Sequence, residues 1–437
     1  METILIIGGG AAGLQLATRL GKRLGRQRAA RIVLVDRSPT HLWKPLLHEV
    51  ATGRIEPSAH RMSFALQARR NTFEFVQAEL VAVDRARKAV CVRRPGCAVG
   101  EECARDIQTL SYDKLVLAVG GTTQFFGVPG AREHALTLDS VDSAVQVRSG
   151  VLAALQRKTA LAESAADAGS PQVRVVIVGA GATGVQLAAQ IRQTSGVLNQ
   201  YGVHCLDPVT GVEIVLLEAS STILPGMDPA LAEGVDQKLR QMNIQVATGQ
   251  RVTAVCHDGL TLDGSQTLPA DVVVWAAGVA APPLLQQLSL ALNKKGQVRV
   301  TETLQSVDDE SIYALGDCAS CQLPDAQTEL PTRAQVAYQQ AVYLAEALRA
   351  CVAGKVVGPF RYRDYGSLVS LADNVALGAF AGTGIFTQFQ LAGRIPALLH
   401  NAVYQRHVLA IHGWGRTIAL TAARGLANLV GAGRRLY

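Results

Sequence analysis

"TILIIGGGAAGLQLATRLGKRL" (residues 3–24) runs from an apolar stretch through three consecutive glycines into an amphipathic stretch of helix formers. The order reads strand, tight turn, helix. Gly8, Gly10 and Gly13 fall at G-x-G-x-x-G spacing, with the small Ala11 and Ala12 between them. The first glycine permits the turn, the second lets a pyrophosphate approach the backbone, and the third lets helix pack on strand. The helix start then offers unpaired N–H groups and a favourable dipole to the phosphates. "RIVLVD" (31–36) follows as a second strand. It ends in Asp36, beside Arg37, where a carboxylate accepts ribose hydroxyls. A glycine turn alone is weak evidence; strand, helix and terminal acid in register make it a nucleotide site.

The pattern recurs. "VRVVIVGAGATGVQLAAQI" (173–191) places Gly179, Gly181 and Gly184, with Ala182 and Thr183, between an apolar strand and a helix. "VEIVLLEAS" (212–220) ends a later strand in Glu218, and "SGVLNQYGVHCLDPVTG" (195–211) reads as an inserted loop before it. Glu218 repels a 2′-phosphate and no Arg follows it closely, so this site favours NAD over NADP. "SIYALGDCAS" (311–320) is a third strand, ending in Gly316-Asp317. "KLVLAVGG" (114–121) and "VVVWAAGV" (272–279) also end in glycine, at Gly120 and, after Ala277, at Gly278. Such ends suit a chain crossing between domains beside a flat cofactor; for either alone, an ordinary βα turn reads equally well.

The chain's 437 residues suggest two or three domains, and 49% hydrophobic with 18% charged residues reads as globular. The net charge of +7 is concentrated: from Asn374 to the C-terminus there is no Asp or Glu, but there are Arg394, Arg406, Arg416, Arg424, Arg434 and Arg435. That placement points to an anionic lipid surface and away from nucleic acid. Ile418, Ala422, Leu426 and Leu429 form a helical stripe opposite Thr421, Arg424 and Asn428. With Trp414, this predicts an amphipathic segment lying in the headgroup plane, the stretch from Leu398 to Ile411 being apolar on several sides. A dimer-forming or core-covering helix pair is the alternative. No stretch is long and apolar enough to span a bilayer, and no signal peptide is read at the N-terminus. The expected location is therefore the cytoplasmic side, with the eight cysteines reduced.

GGGAAG, HLWKPLLHEVATG, GAGATGV, VWAAGV, ALGDCASC, RAQVAYQQ and GSLVSL, spread over nearly the whole chain, resemble the two-dinucleotide-binding flavoproteins. Among these the sequence is most similar to the proteobacterial type II NADH:quinone oxidoreductases. The resemblance implies an α/β protein with two Rossmann-like domains, the FAD domain split in sequence around the NADH domain. The expected limits are 1–140 and 291–373 for FAD, 141–290 for NADH and 374–437 for an amphipathic membrane-docking region. It further implies FAD on the first glycine motif and NADH on the second, with Asp317 on the ribityl chain and backbone near Leu80 on adenine. Lys44, with Pro45 and Leu46, lies near the isoalloxazine. The quinone is expected against the helix bearing Ala334, Gln335, Ala337 and Gln339; Gln335 and Gln339 share a helical face and are expected to converge on a head-group carbonyl, although a Gln pair is also an ordinary solvated face. The implied activity is respiratory, transferring two electrons from NADH through FAD to a membrane quinone without pumping protons. It is placed at the cytoplasmic face of a bacterial inner membrane, with a homodimer as a further expectation. A sulfide:quinone oxidoreductase and a slowly turning NADH-responsive sensor are the rival readings.

Two departures from the family pattern matter. Tyr338 stands where many relatives have His, and Gln186 where the second glycine motif usually continues with Glu. An amide cannot ionise, so any proton handling assigned to that Glu is in doubt here. Cys318-x-x-Cys321 has no second pair, which makes a poor zinc site, and a structural role is expected. No metal is expected. Cys91, Cys97 and Cys103 are expected as free thiols in a Gly-rich hairpin, and His400, His407 and His412 as interfacial or packed side chains.

Overall fold

The N-terminal apolar run forms strand β1 (Glu2–Ile7), whose Ile4, Leu5 and Ile6 are completely buried. Helix α1 (Ala11–Leu20) follows and widens into a π-helical turn at Gly21–Gly25. Close packing explains the glycine there: a Cβ on Gly21 would lie 2.2 Å from the Asn71 carbonyl. Next come β2 (Ala30–Asp36), α2 (Leu47–Ala51), α3 (Phe64–Asn71), β3 (Glu74–Gln77), β4 (Lys114–Leu117) and β5 (Thr122–Thr123). The second unit holds α4 (Val141–Ser164), β6 (Val173–Val178), α5 (Ala182–Leu198), β7 (Val212–Leu217), β8 (Ile244–Ala247), β9 (Val272–Trp275) and β10 (Val279–Ala280). The chain then forms β11 (Val298–Val300), β12 (Gln305–Ser306), β13 (Asp309–Ala314), β14 (Ala319–Cys321) and α6 (Ala334–Val352). It ends in β15 (Ser367–Ala372), β16 (Val375–Ala379), β17 (Phe389–Ala392), α7 (Arg394–His412) and α8 (Trp414–Val430). This computed structural model describes residues 1–96, 107–164, 172–198, 211–322, 329–372, 375–379, 389–392 and 394–430. Most of the inserted loop expected at 195–211, and Cys97 and Cys103, lie outside them.

One sheet has eight strands in the order β14-β11-β12-β13-β4-β1-β2-β3. Its centre is parallel, with β1 between β2 and β4, and β4 beside β13. Residues 114–117 thus neighbour residues 312–314, so one sheet is built from both sides of the intervening unit. That unit carries a four-stranded parallel sheet, β8-β7-β6-β9. The inner strands of both sheets are continuous Val, Ile and Leu runs, as burial on two faces requires. The sheets communicate through a two-residue antiparallel ribbon, in which Thr122 pairs with Ala280 and Thr123 with Val279.

Packing redraws two expectations. Leu47, Val50 and Ala51 of α2 and Val369 and Leu371 of β15 share the core of the four-stranded sheet, although both segments lie outside 141–290. Helix α7 buries one side, as the core-covering alternative expects: Tyr404, Val408 and Ile411 lie in the core of the eight-stranded sheet, while Ala402 and Arg406 are exposed. A stretch apolar on several sides meets protein on one of them. The exposed element is α8, with Trp414 75% and Ile418 64% exposed while Thr421 bonds back to Gln405.

Candidate active site

The first glycine motif is held by contacts that leave no room for side chains. Gly8 donates its N–H to the Val35 carbonyl at 2.8 Å, at φ 103°, and a Cβ there would meet the Ala118 carbonyl oxygen at 2.3 Å. A Cβ on Gly13 would lie 1.8 Å from the Gly8 oxygen. Gly10, by contrast, has nothing within 4 Å of its would-be Cβ, so the helix N-terminus is open where a phosphate would approach. Asp36 fixes the turn: its Oδ2 accepts from Gly9 N at 2.6 Å and its Oδ1 from Ser38 N at 2.8 Å. Burial pushes the Asp36 carboxyl up, opposed by those two N–H groups and by the Arg37 charge. Arg37 itself is exposed, Ala11 half-buried and Ala12 buried.

The second motif repeats these bonds one for one. Gly179 N donates to Leu217 O at 2.8 Å, and a Cβ on Gly184 would lie 2.0 Å from Gly179 O, while Gly181 faces open space. Glu218 stands where Asp36 stands in the first: its Oε2 accepts from Ala180 N at 2.8 Å and its Oε1 from Ser220 N at 2.9 Å. Ala182 is half-buried and Thr183 exposed at the helix start. Gly179 presses on Ala277, whose Cα would lie 2.6 Å from an added Cβ.

Between the motifs the glycine-ended strands meet. Lys44 Nζ donates to Gly121 O at 2.9 Å, and a Cβ on Gly121 would lie 2.3 Å from Val279 Cγ1 and 3.3 Å from Asp317 Cβ. Gly120, at φ 69°, opens onto free space. Burial raises the Asp317 carboxyl, and the nearby Lys44 charge pulls it back towards ionisation. The Asp317 turn is braced by Gln297 Nε2, which donates to its carbonyl at 2.9 Å, and by Gln340 Oε1, which accepts from Gly316 N at 2.8 Å. Gly278, at φ 70°, packs on Phe126, 2.4 Å from an added Cβ. Sequence reasoning missed Gln297, Gln340, Gly121 and Phe126; only Gln340 carried a signal, three residues after Ala337 on a helix already singled out. Leu80 is buried in the strand Glu79–Asp84.

The structure differs from the expectation for the α6 amides. Gln335 Nε2 donates to Asp364 Oδ1 at 3.0 Å and to Gly366 O at 3.2 Å, and its Oε1 accepts from Tyr365 N at 3.3 Å. Gln339 exchanges two bonds with the Arg363 backbone, at 2.8 and 3.0 Å. The pair shares a face, as its spacing requires, but the face grips residues 363–366 instead of standing free. Ala334 is exposed at the helix start, and Ala337 reaches the Gly316 turn. Tyr338 carries the Arg406 guanidinium over its ring at 4.7 Å, and the same group lies 5.8 Å from the Tyr365 ring. Gln186 is half-buried on α5, and among the described residues its amide makes no hydrogen bond. One turn on, Gln190 accepts from Thr52 Oγ1 at 3.2 Å, where the α2 end leans on α5. Cys318 and Cys321 are buried, and burial pushes both thiols up to about 11. The Cys318 thiol donates to the carbonyls of Leu117 and Leu315. Both are thus held in the thiol form, as the expected structural role requires.

The glycine cradles, the half-buried Asp317 under the influence of Lys44 and the open helix starts fit two dinucleotides meeting at the ribbon. Residues 2–341 match the family model of the pyridine nucleotide-disulphide oxidoreductases. The chain is 33% identical to a type II NADH:quinone oxidoreductase of Haemophilus influenzae, over 94% of this chain and 95% of that one. It is 29% identical to a type II NADH:quinone oxidoreductase of Mycobacterium tuberculosis, over 97% of this chain and 89% of that one. The fold matches a Plasmodium falciparum NDH2 structure in complex with NADH at a TM-score of 0.82, with 17% identity over 100% of both chains. A sulfide:quinone oxidoreductase of Aquifex aeolicus has the same fold, at a TM-score of 0.72 and 16% identity over 100% of this chain and 96% of that one. With the match to residues 2–341 and the 33% identity over nearly its whole length, the chain belongs to the pyridine nucleotide-disulphide oxidoreductases, and within them to the type II NADH:quinone oxidoreductases.

Proposed function

We propose that this chain oxidises NADH and reduces a membrane quinone in two half-reactions, without pumping protons. The observation that carries this reading is the pair of glycine motifs with matching bonds, in two sheets joined by the ribbon that pairs Thr122 with Ala280 and Thr123 with Val279. Gly8, Gly10, Gly13, Asp36, Lys44, Gly120 and Asp317 would hold FAD, and Gly179, Gly181, Gly184, Glu218 and Gly278 would hold NADH. FAD, when bound, supplies the two-electron chemistry that links a hydride donor to a quinone. The protein's part is placement. Phe126 and the positive φ of Gly278 shape the nicotinamide side, and Lys44 sets a fixed positive charge beside Asp317. Domain limits of 1–140, 141–290, 291–373 and 374–437 follow the same assignment, with α2 and β15 reaching across to the NADH unit.

The quinone is assigned to the first turns of α6. There Gln335 and Gln339 hold segment 363–366 as a wall, and Tyr338 with Arg406 forms its rim. Exposed Tyr365, Trp414 and Ile418 beside the exposed Arg406 and Arg416 favour an anionic lipid surface, which we take as the cytoplasmic face of a bacterial inner membrane. Among the described residues no helix is long and apolar enough to cross a membrane. A second copy of the chain is the alternative occupant of that surface, and vesicle flotation against sedimentation distinguishes the two. For the activity, the test is an anaerobic titration. NADH should bleach the flavin, and a short-chain quinone should restore it within the turnover time. A flavin that stays bleached would favour an NADH-responsive sensor.

A further inference from the structure

We propose that His41 and His407 form a two-imidazole latch that couples the seating of α7 to the flavin's phosphate loop, and that the latch opens on mild acidification. The two Nε2 atoms lie 3.0 Å apart, and the residues are 4% and 5% exposed. His407 stacks on Trp43 at 5.8 Å and 19°, Tyr404 packs on Trp43 at 5.6 Å, and His60 Nδ1 lies 3.4 Å from the Tyr404 hydroxyl. One side of this seam is therefore α7, and the other is the segment leading to Lys44. From His41 the contacts continue inward. Its ring lies 6.3 Å from Phe64, whose own ring fills the space a Cβ on Gly9 would need, and the Gly9 backbone is near enough to favour the protonated His41 ring. Gly9 sits inside the first glycine motif. A displaced α7 thus releases His41, then Phe64, then the turn that faces the phosphates.

The chemistry of the pair makes it sensitive to protons. Across the 3.0 Å contact one ring donates and the other accepts, and which does so depends on the tautomer. A first proton can be shared, because a neutral imidazole accepts through its bare nitrogen, but a second sets two N–H groups against each other. Burial holds His41 down to about 4, with the Gly9 contact opposing it. His407 lies well below its ordinary value through burial and the neighbouring His41 and His412 charges. Among the described residues no carboxylate acts on either ring. His412 lies 3.4 Å from the Gln67 amide, His60 faces Tyr404, and Lys22 of α1 lies near Arg19, Arg26 and Arg416. Asp36 is engaged by Gly9 and Ser38, and from Asn374 onward the chain has no Asp or Glu. Both rings have folded values below the ordinary 6.5. Their contribution is therefore complete above 6.5 and declines as pH falls from there towards about 4, because the released rings bind protons and the seated ones do not.

The test uses the FAD-loaded, full-length protein in detergent, with hydrogen exchange followed along α7 and flavin release followed by fluorescence. After correction for intrinsic exchange, the opening of α7 should rise by about tenfold per pH unit per released ring below about pH 6.5, approaching about a hundredfold for two. Flavin release should rise with it. His407→Gln keeps a donor to His41 but removes one titrating ring, so its slope should halve. His41→Gln combined with His407→Gln should flatten it. If the double variant does not bind FAD, the halved slope of the single variant decides. A wild-type α7 equally protected at about pH 7 and pH 5, or variants with the wild-type slope, would overturn the latch. Opening of α7 without faster flavin release would overturn the coupling. Neither outcome depends on whether a quinone is the acceptor.

Discussion

A carboxylate whose two oxygens each accept a backbone N–H is aimed as well as charged, and Glu218 is held this way by Ala180 and Ser220. A 2′-phosphate would have to enter beside that fixed negative charge. We expect kcat/KM for NADH to exceed that for NADPH by about tenfold or more, because like unit charges in near contact cost on the order of 1 kcal/mol even in water and a 2′-phosphate carries nearly two of them. Glu218→Ala should narrow the gap; comparable kcat/KM values in the unmodified enzyme would sink the assignment. Gln186 offers the complementary case. Glutamate introduced there would sit half-buried, where burial raises its carboxyl above the usual range. Quinone reduction in Gln186→Glu should then acquire a pH dependence between mildly acidic and neutral pH, with the hydride half-reaction changing less. Stopped-flow traces of both half-reactions settle this, and superimposable profiles would make the position a packing site. The acidic strand ends were readable because each depends only on near neighbours in sequence, whereas position 186 stood out only against the family pattern. The bonds of Gln335 and Gln339 were not readable, since periodicity shows which side chains share a face and nothing about residues 363–366 arriving opposite them.

Two strand–turn–helix units with the same internal bonds invite parallel substitutions. Gly13→Ala would place a methyl 1.8 Å from Gly8 O, and Gly184→Ala would place one 2.0 Å from Gly179 O. The chemical change and the clash are nearly identical, so the outcomes should differ only by which cofactor is lost. Gly13→Ala should purify colourless or shed its flavin. Gly184→Ala should stay yellow while the NADH concentration needed to bleach it rises by about tenfold or more, given that even 1.4 kcal/mol of misfit has that effect. Absorbance at purification and a reductive titration check both. Flavin loss from Gly184→Ala would mean that the motifs are not separable. These units were legible because turn, strand and helix signals all fall within a few dozen residues. The short strands β11, β12 and β14 were not, because a strand of two or three residues carries no periodicity.

At the scale of the whole chain, the basic tail divides into two helices with opposite duties, which one averaged composition concealed. Tyr404, Val408 and Ile411 tie α7 to the body, whereas α8 turns Trp414 and Ile418 outward. Ending the protein after His412 should leave a yellow, NADH-reducible enzyme that no longer floats with anionic vesicles. Ending it before Leu398 should cost flavin retention too, because three buried side chains go with it. Persistent flotation of the first truncation would remove α8 from the docking surface. The split sheet carries a different consequence, for the order in which the protein comes into being. Leu115 and Leu117 of β4 pair with Ile312 and Ala314, so that edge has no partner until nearly three-quarters of the chain has left the ribosome. The four-stranded sheet, contiguous from Val173 to Trp275, emerges whole before then. During synthesis the sheet of the nicotinamide unit can pair first, with Val369 and Leu371 joining its core later, while the flavin unit waits with an apolar strand edge open to intermolecular pairing. Flavin capture is then a late event of biogenesis, and the interval before residue 314 appears is when a nascent chain most needs protection from its neighbours.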